Sequence, residues 1–492
     1  MPEPRQGGFR RLRRRATPAM DGQPPTSTTL RNAKIAALPV AYAARRAGGV
    51  RRRAMGQPAR QVELDIQART AQHMFEVLGE LKGCATKIGQ MLALYELALP
   101  PELGAPYQAA LSQLQDSTPA MLPAAVDKAM AASLGPDWRE LFLDFDPRAT
   151  AAASVGQVHR ARWADGRSVA VKLMYPGARE SVRSDLAQIR RLAPLATVFM
   201  PDADARAVAE AFANLIDDEL DYEKEAETQR AFAVAYADDP DFVVPAVVHQ
   251  QGDVLVSEWL DGIPLQRVID SGDPAERSRV GLLLIRFLMS SFDRTGLLYT
   301  DPHPGNIRIM RDGRLGIVDY GACSPVPAGF TTVAGDLGDA GLNGDRDQLE
   351  AALRKHEFVH SDRDFDIEAF DALIEPIRTL FTQHTFHLTT PWLRKQVLRV
   401  TAPRLTNVSR QLTTRPEYTP IGRTILAAAG VLCQLGTQGA VRDELLVHQP
   451  ELAAAVQRFH LGEGLAGAVR AEAEPFATAT PGFATVTPLR RR

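Results

Sequence analysis

Two short segments constrain this 492-residue chain most: the hexapeptide DPHPGN, which runs from Asp301 to Asn306, and the triplet DYG, which begins at Asp319. Two prolines stiffen the hexapeptide, so its Asp and Asn are expected on one rigid turn. The triplet follows the apolar run Leu315–Val318, which is typical of a buried strand. In phosphoryl-transfer sites one Asp orients or deprotonates the acceptor, while an Asn and a second Asp hold Mg²⁺ on the nucleotide. The spacing therefore predicts a phosphoryl-transfer site with Asp301 as catalytic residue and Asn306 and Asp319 as metal ligands, whose oxygens suit this hard cation.

A lysine and a glutamate complete the expected set. The tetrapeptide VAVK that ends at Lys172 is typical of a half-buried strand, which can project its lysine into a cleft, although many strands end in Lys. A helix predicted over 204–236 carries acidic residues, among them Glu225, although a solvated acidic face has the same composition. The chain thus presents a lysine on a strand, a glutamate on a helix, an Asp and an Asn in a loop, and an Asp at the end of a strand. This is the order of these residues in the protein-kinase fold.

Further motifs make the chain resemble the UbiB-type (AarF-like) atypical kinase-like family over about residues 65–440. A K-x-G-Q motif stands at Lys87–Gln90, an Ala-rich segment at Ala151–His159, and an E-x-D motif at Glu219–Asp221, in the family's order. The resemblance implies that the Ala-rich segment replaces the Gly-rich loop of ordinary kinases. Alanine is stiffer than glycine and leaves backbone N–H groups less freedom to wrap phosphates, so we expect a changed nucleotide preference or a slower reaction.

Two positions depart from the pattern of ordinary kinases. Tyr320 occupies the middle of the triplet, where Phe is common, and Tyr299–Thr300 replace the His-Arg pair that usually precedes the catalytic Asp. The second departure agrees with an atypical kinase and leaves the anchoring of the catalytic loop open.

The resemblance also implies roles for individual residues, with ATP and Mg²⁺ as cofactors. The K-x-G-Q helix would lie across the place where a protein substrate docks, which would close the site to polypeptides and favour ATP hydrolysis or small-molecule phosphorylation. The turn after the strand Val254–Ser257 is where a hinge would offer backbone groups to adenine. The expected catalytic residues are Asp301, Lys172 and Glu225. The expected nucleotide-binding residues are Ala152, Ala153, Ser154, Val155, Gly156, Lys172, Glu258 and Leu260. The expected cleft-gating residues are Lys87, Gln90, Glu219 and Asp221.

The same patterns predict an α+β chain with a two-lobed protein-kinase-like fold and an N-terminal helical extension. A hairpin is expected within 152–174, around the turn Ala164–Arg167, because A-D-G-R is a turn sequence between two strand-like runs. The predicted units are a basic, mostly disordered head (1–60), the helical K-x-G-Q extension (61–147), the β-containing N-lobe (148–260), the mostly helical C-lobe (261–470) and a flexible tail (471–492).

Charge is unevenly distributed although the whole chain has a net charge of −2. Residues 1–53 hold twelve Arg and one Lys against Glu3 and Asp21, which leaves an acidic body. Each basic residue near an anionic leaflet contributes about 1 kcal/mol, so we expect the head to contact an anionic membrane peripherally. Its Arg clusters contain few aromatic residues, so no nucleic acid is expected as a partner.

Three widely separated cysteines argue against a disulfide framework, and no apolar signal segment is visible near the N-terminus. We therefore expect a cytoplasmic protein with peripheral membrane contact. The uncharged stretch Thr424–Val441 is interpreted as a buried helix rather than a membrane span, because it contains Gln, Thr and Gly residues.

Three functions remain open at this point. The first is an ATP-using enzyme that supports isoprenoid-quinone or lipid metabolism at the membrane surface, with a nucleotide and a lipid or quinone precursor as partners. The second is a small-molecule kinase of the aminoglycoside- or choline-kinase type, and the third is a non-enzymatic, nucleotide-binding pseudokinase scaffold.

Overall fold

The computed structural model has an antiparallel β-sheet lobe followed by a mainly helical lobe, which is the α+β, two-lobed arrangement predicted from the sequence. The residues that the structure describes are 44–45, 47–58, 61–62, 66, 69, 120–196, 217, 219–360, 362–401, 408–413 and 415–466.

The strands of the described residues are, in chain order, β1 (Phe142–Phe145), β2 (Ala151–Ala152), β3 (Gly156–Trp163), β4 (Ser168–Met174), β5 (Phe242–Val243), β6 (Val247–Gln251), β7 (Val254–Glu258), β8 (Ile263–Pro264), β9 (Leu297–Tyr299), β10 (Ile307–Ile309), β11 (Leu315–Ile317), β12 (Cys323–Pro325), β13 (Phe386–His387) and β14 (Gln438–Gly439). The first lobe is one six-stranded sheet in the order β1-β3-β4-β7-β6, with β2 paired to β3. Every pairing in this sheet is antiparallel.

The helices are α1 (Pro123–Leu134), α2 (Ala178–Ala196), α3 (Tyr222–Ala235), α4 (Leu265–Ser271), α5 (Pro274–Thr295), α6 (Phe330–Asn343), α7 (Arg346–Lys355), α8 (Ile367–Thr382), α9 (Thr390–Thr401), α10 (Thr419–Leu435), α11 (Val441–Leu446) and α12 (Pro450–Ala466). Helix α1 begins at Pro123, and a proline in the first helical turn costs no hydrogen bond. Its buried residues pack against the sheet and Trp138.

Strands β3 and β4 form the predicted hairpin. The N–H of Trp163 donates to the carbonyl of Arg167 at 2.8 Å, and Gly166 turns the chain with a φ of +92°, which glycine adopts without steric cost. Successive side chains of a strand point to opposite faces. Val171 is therefore buried in the core of the lobe, whereas Lys172 points to the other face, towards the second lobe.

The segment predicted as one helix over 204–236 contains a break before α3. Glu219 and Leu220 form a turn, and the carboxylate of Asp221 accepts a hydrogen bond from the N–H of Lys224 at 3.0 Å as the N-cap of α3. Aspartate is among the favoured N-cap residues because its side chain satisfies an otherwise unpaired N–H group. The prediction that the helix itself carries Glu219 and Asp221 was therefore wrong, whereas Glu225 does lie on it.

The second lobe begins with short strands that present the DPHPGN and DYG segments. Strands β5, β11, β10 and β8 form one small sheet, and β9 pairs with β12, so that the start of the DPHPGN segment lies beside the segment after the DYG triplet. Helix α5 packs beneath these strands, with the N-cap Asp273 at its start and Gly296 (φ +72°) at its end.

The stretch Thr424–Val441 is helical only to Leu435. Gly436 ends α10 with a φ of +62°, and the chain then forms β14 before α11 begins. Its residues Ala428, Val431 and Leu432 pack in the core of the second lobe, as expected for a buried helix. No helix among the described residues has the length and apolar character needed to span a membrane.

Part of the basic head is helical: residues 44–45 and 47–54 form a helix that approaches Val62 and Ile66. A Cβ atom on Gly49 would lie 2.5 Å from Cδ1 of Ile66, so the glycine permits this close contact. Arg51 and Arg53 are exposed on the same helix. The predicted disorder of residues 1–43 and the tail from 471 lie outside the described residues.

Candidate functional site

Lys172 and Glu225 form a buried ion pair at the interface of the two lobes. The Nζ atom of Lys172 lies 2.7 Å from Oε1 and 2.8 Å from Oε2 of Glu225, and 3.2 Å from Oδ2 of Asp319. Strand β4, helix α3 and the end of β11 thus bring together three residues that are far apart in sequence. This contact is the one that the order of motifs predicts between a strand lysine and a helix glutamate.

The pKa values in this cluster reflect burial and charge acting against each other. Burial by itself disfavours the ammonium, but the carboxylates of Asp319 and Glu225 outweigh it and raise the pKa of Lys172. Burial raises the pKa of Glu225 to about 7, although Lys172 opposes the shift. Lys172 therefore stays protonated, and the carboxylate of Glu225 depends on this ammonium to remain ionised in the interior.

The catalytic-loop candidates lie on a tight turn that its own backbone stabilises. His303 N–H donates to the carbonyl of Asp301 at 2.7 Å, and Asn306 N–H donates to the carbonyl of His303 at 2.9 Å. The Nδ2 group of Asn306 lies 3.3 Å from the Asp301 carbonyl and 3.4 Å from Oδ2 of Asp301. Asp301 and Asn306 thus lie side by side, as the two-proline hexapeptide predicts.

Asp319 lies opposite this turn and contacts it through the backbone. The N–H of Val318 donates to the carbonyl of Asn306 at 3.0 Å, and Oδ1 of Asp319 accepts from the N–H of Gly321 at 3.0 Å. The remaining oxygen, Oδ2, faces Lys172. The second Asp, the Asn and the lysine therefore converge on one cleft.

The donor set suits a magnesium ion that is bound together with a nucleotide. Mg²⁺ usually takes one or two protein oxygens, keeps several waters and binds substrate phosphates. Asp319 supplies a carboxylate. Asn306 donates to Asp301 through Nδ2, so the Oδ1 atom of Asn306 takes no part in these hydrogen bonds. The described residues contain no cluster of three or more His, Cys, Asp or Glu residues that could hold a metal by themselves. The residues present thus fit a metal held jointly with phosphate.

The Ala-rich segment forms a tight turn above the lysine. Ala152 pairs with Gln157 across β2 and β3, and Ala153 N–H donates to the carbonyl of Gly156 at 2.8 Å. A Cβ atom on Gly156 would lie 2.3 Å from the carbonyl oxygen of Leu173, so only glycine fits there. Ser154 is partly exposed in this turn and Val155 is buried beneath it. The turn therefore leads directly into the strand that pairs with β4.

The expected hinge residues lie where the sheet ends. The carboxylate of Glu258 accepts from Arg167 at 3.3 Å and from the N–H of Ala246 at 3.2 Å, so its side chain is held by the sheet. Leu260 follows and packs on Gly316 of β11, where a Cβ would lie 2.7 Å from Leu260 Cδ1. The chain thus passes from one lobe to the other at the predicted hinge.

The cleft-gating candidates are only partly within the described residues. Lys87 and Gln90 lie outside them, and their predicted contact with the E-x-D motif stays a prediction. Glu219 is buried, and Asp221 borders a cavity of about 380 Å³. That cavity is lined by Arg179, Arg183, Asp217, Leu220 and Asp221.

Two residues of the site have no signal in the sequence motifs. The ring of Tyr222 lies 5.1 Å from the Lys172 ammonium, a cation–π contact, and its hydroxyl would lie 2.9 Å from a Cβ on Gly156. The guanidinium of Arg423, on α10, donates to Oγ1 of Thr300 at 3.0 Å. Tyr222 directly follows the E-x-D motif and could have been found by its position, whereas Arg423 reaches the site only through the tertiary fold.

Comparison with known proteins gives consistent matches. A model of the ABC1 atypical kinase-like domain matches residues 113–352. The atypical kinase COQ8B, mitochondrial, of Danio rerio is 28% identical over 63% of this chain and 49% of its own length. The atypical kinase COQ8, mitochondrial, of Saccharomyces cerevisiae is 30% identical over 51% of this chain and 50% of its own length. The chain thus spans about half the length of these curated relatives.

A solved structure is similar over a larger share of the chain. The Mycobacterium tuberculosis protein Rv3197, determined in complex with erythromycin, is 35% identical and has a TM-score of 0.61. The match covers 80% of this chain and 100% of that one.

Proposed function

The chain belongs to the UbiB/AarF (ABC1) atypical kinase-like family, and on this basis we propose that it binds a Mg²⁺-nucleotide in the interlobe cleft and transfers or hydrolyses its terminal phosphoryl group. The observation that carries the proposal is the contact of Lys172 with both Glu225 and Asp319, opposite the turn that holds Asp301 and Asn306. A scaffold that only binds a nucleotide would have no use for Asp301 beside this set, because a base for the acceptor is needed only for transfer.

Each residue has a distinct task in this proposal. Lys172, held by Glu225, binds phosphate oxygens of the nucleotide, and Asp319 and Asn306 would hold the Mg²⁺ ion, which neutralises charge on the phosphates when bound. The Asp301 carboxylate orients the acceptor oxygen and takes up its proton. The Ala-rich turn covers the phosphates, and backbone groups near Glu258 and Leu260 contact the base.

We further propose that the acceptor is water or a small molecule in isoprenoid-quinone or lipid metabolism, at a membrane surface. The support is the family membership together with the basic head, whose helical part exposes Arg51 and Arg53. Arginines near an anionic leaflet each contribute about 1 kcal/mol. Attachment of this kind is peripheral, and its strength falls as salt rises.

The test is nucleotide turnover by the full chain with Mg-ATP, measured without vesicles, with neutral vesicles and with anionic vesicles. We expect turnover in the wild type, stimulation by anionic vesicles only, and loss of turnover in Asp319→Asn. Equal turnover in the wild type and Asp319→Asn would refute the catalytic proposal. Equal rates with neutral and anionic vesicles would refute the membrane part alone.

A small-molecule kinase is the second candidate, and one observation favours it. The Mycobacterium tuberculosis relative was solved with erythromycin, a soluble small molecule. On this alternative a macrolide or a related hydroxyl compound would stimulate turnover and gain a phosphoryl group, and vesicles would have no effect. Mass spectrometry of the added compound distinguishes the two candidates.

A further inference from the structure

The catalytic loop offers no lysine or arginine at the place where the phosphoryl group is transferred. The hexapeptide from Asp301 to Asn306 contains neither Lys nor Arg. Its His303 accepts a hydrogen bond at Nδ1 from the N–H of Gly305 at 3.1 Å, so this nitrogen does not donate to a phosphate. The transition state of phosphoryl transfer carries charge on three equatorial oxygens, which needs positive charge nearby.

Lys172 binds nucleotide phosphate in the proposed reaction, and two carboxylates share its ammonium group. Its ammonium has three N–H donors. Three carboxylate oxygens lie within hydrogen-bond distance: two of Glu225 and one of Asp319. A further cation beside Asp301 would therefore complement the site.

Arg423 supplies such a cation from α10. Its Nη2 group donates to Oγ1 of Thr300, the residue directly before Asp301, at 3.0 Å. A guanidinium has five N–H donors, and among the described residues only this one has a hydrogen-bond partner. Burial lowers the pKa of Arg423 below its usual value, although the nearby carboxylates of Asp301 and Glu219 oppose the shift. An arginine keeps its charge in proteins, so the group stays cationic.

We propose that Arg423 contacts the phosphoryl group during its transfer, as an arginine supplied in cis by the C-terminal lobe. The inference rests on the proposed phosphoryl transfer. In that step the bond between the terminal phosphorus and the bridging oxygen breaks, and its electron pair stays on the departing nucleoside diphosphate. A new bond forms from the acceptor oxygen, whose proton passes to the Asp301 carboxylate. The planar guanidinium matches two of the equatorial oxygens and stabilises their charge.

Thr300 holds the arginine in place and anchors the catalytic loop, which lacks the His-Arg pair of ordinary kinases. The N–H and the hydroxyl of Thr300 each donate to the carbonyl of Ala322 at 3.0 Å, and the same hydroxyl accepts from Arg423. One side chain thus ties α10 to both the Asp301 loop and the segment after the DYG triplet. This arrangement allows a competing role, in which Arg423 only positions the loop through Thr300.

The experiment compares Arg423→Met, Arg423→Lys and Thr300→Val with the wild type in two assays. The first is the affinity for Mg-ADP alone and for Mg-ADP with aluminium fluoride, which imitates the phosphoryl group in transfer. The second is ATP turnover, separated into kcat and KM. Thermal unfolding of each variant checks that the fold is intact.

We expect Arg423→Met to bind Mg-ADP as the wild type does, to lose the extra affinity from aluminium fluoride, and to lose about 10³-fold or more in kcat, as for other arginines in this role. Arg423→Lys should recover part of both losses, and Thr300→Val should lose less than Arg423→Met. The inference is overturned if Arg423→Met keeps the fluoride effect, if its affinity for Mg-ADP alone falls by the same factor, or if Thr300→Val matches it. A wild type that binds no Mg-ADP would refute the proposed function itself and this inference with it.

Discussion

Replacing Lys172 by Met tests the ion pair at the centre of the cleft. The side chain of Glu225 is 2% exposed and that of Lys172 is 17% exposed, so the pair lies close to the fully buried limit. Removing one partner of a buried pair costs about 3–5 kcal/mol, because the other charge stays buried without compensation. The partial exposure of Lys172 places the expected loss of unfolding free energy near the lower end, about 3 kcal/mol.

This loss should depend on pH in a defined direction. Burial raises the pKa of Glu225 from 4.5 to about 7 even with the ammonium present, and loss of Lys172 removes the opposing influence. The folded variant therefore binds a proton that the unfolded chain releases at the same pH. The deficit of Lys172→Met should be largest above the pKa of Glu225 in the folded variant and shrink as the pH falls towards about 7, because below that value Glu225 is protonated in both folded proteins.

The assay is urea unfolding of the wild type, Lys172→Met, Glu225→Gln and the double variant at about pH 8 and about pH 6. Glu225→Gln removes the buried charge, so the double variant should recover much of the stability that Lys172→Met loses. A deficit that is equal at both pH values and is not relieved by Glu225→Gln would refute the buried ion pair as its cause.

Two further substitutions have matched controls. Gly156→Ala places a Cβ 2.3 Å from a backbone oxygen, so it should lower the free energy of unfolding by about 1–3 kcal/mol and weaken nucleotide binding. The control Gly422→Ala meets nothing within 4 Å and should do neither. Equal effects of the two substitutions in calorimetry and nucleotide titration would contradict the close fit at Gly156. Asp221→Ala removes the N-cap of α3 and should lower the free energy of unfolding by about 1 kcal/mol, and Asp345→Ala should do the same at α7. A loss of turnover in Asp221→Ala alone would assign Asp221 a task beyond capping. Unchanged stability in both variants would contradict the capping contacts.

The placement of Asp301, Asn306, Asp319 and Lys172 could be predicted because local sequence fixes it. Each lies in a short loop or at the end of a short strand, where proline, glycine and apolar alternation determine the backbone. Glu225 could be predicted only as one candidate, since other acidic residues stand close to it in the sequence and the pattern does not say which of them pairs with the lysine. Its burial against Lys172, which is a tertiary contact, is what distinguishes it.

Three features of the fold are not determined by the local sequence. The break before α3 has no clear signal in the sequence, because Asp221 suits either a position within a helix or an N-cap, and the N-cap hydrogen bond decides between the two. The pattern of Thr424–Val441 predicts one helix because it does not show which of its glycines ends the helix. In the structure Gly436 does so. Arg423 lies more than a hundred residues from Thr300 in sequence, and no spacing rule connects the two.

The most direct test of the Mg²⁺-nucleotide site is the affinity for ADP with and without Mg²⁺, measured by calorimetry on three proteins. In the wild type, Mg²⁺ should tighten ADP binding, because Asp319 and Asn306 hold the ion against the phosphates. Asp312→Asn, which changes an exposed turn aspartate that pairs with Arg314, should behave in the same way. Asp319→Asn should bind ADP equally with and without Mg²⁺. If Asp319→Asn keeps the full effect of Mg²⁺, the interlobe cleft is not the site that holds Mg²⁺ with the nucleotide.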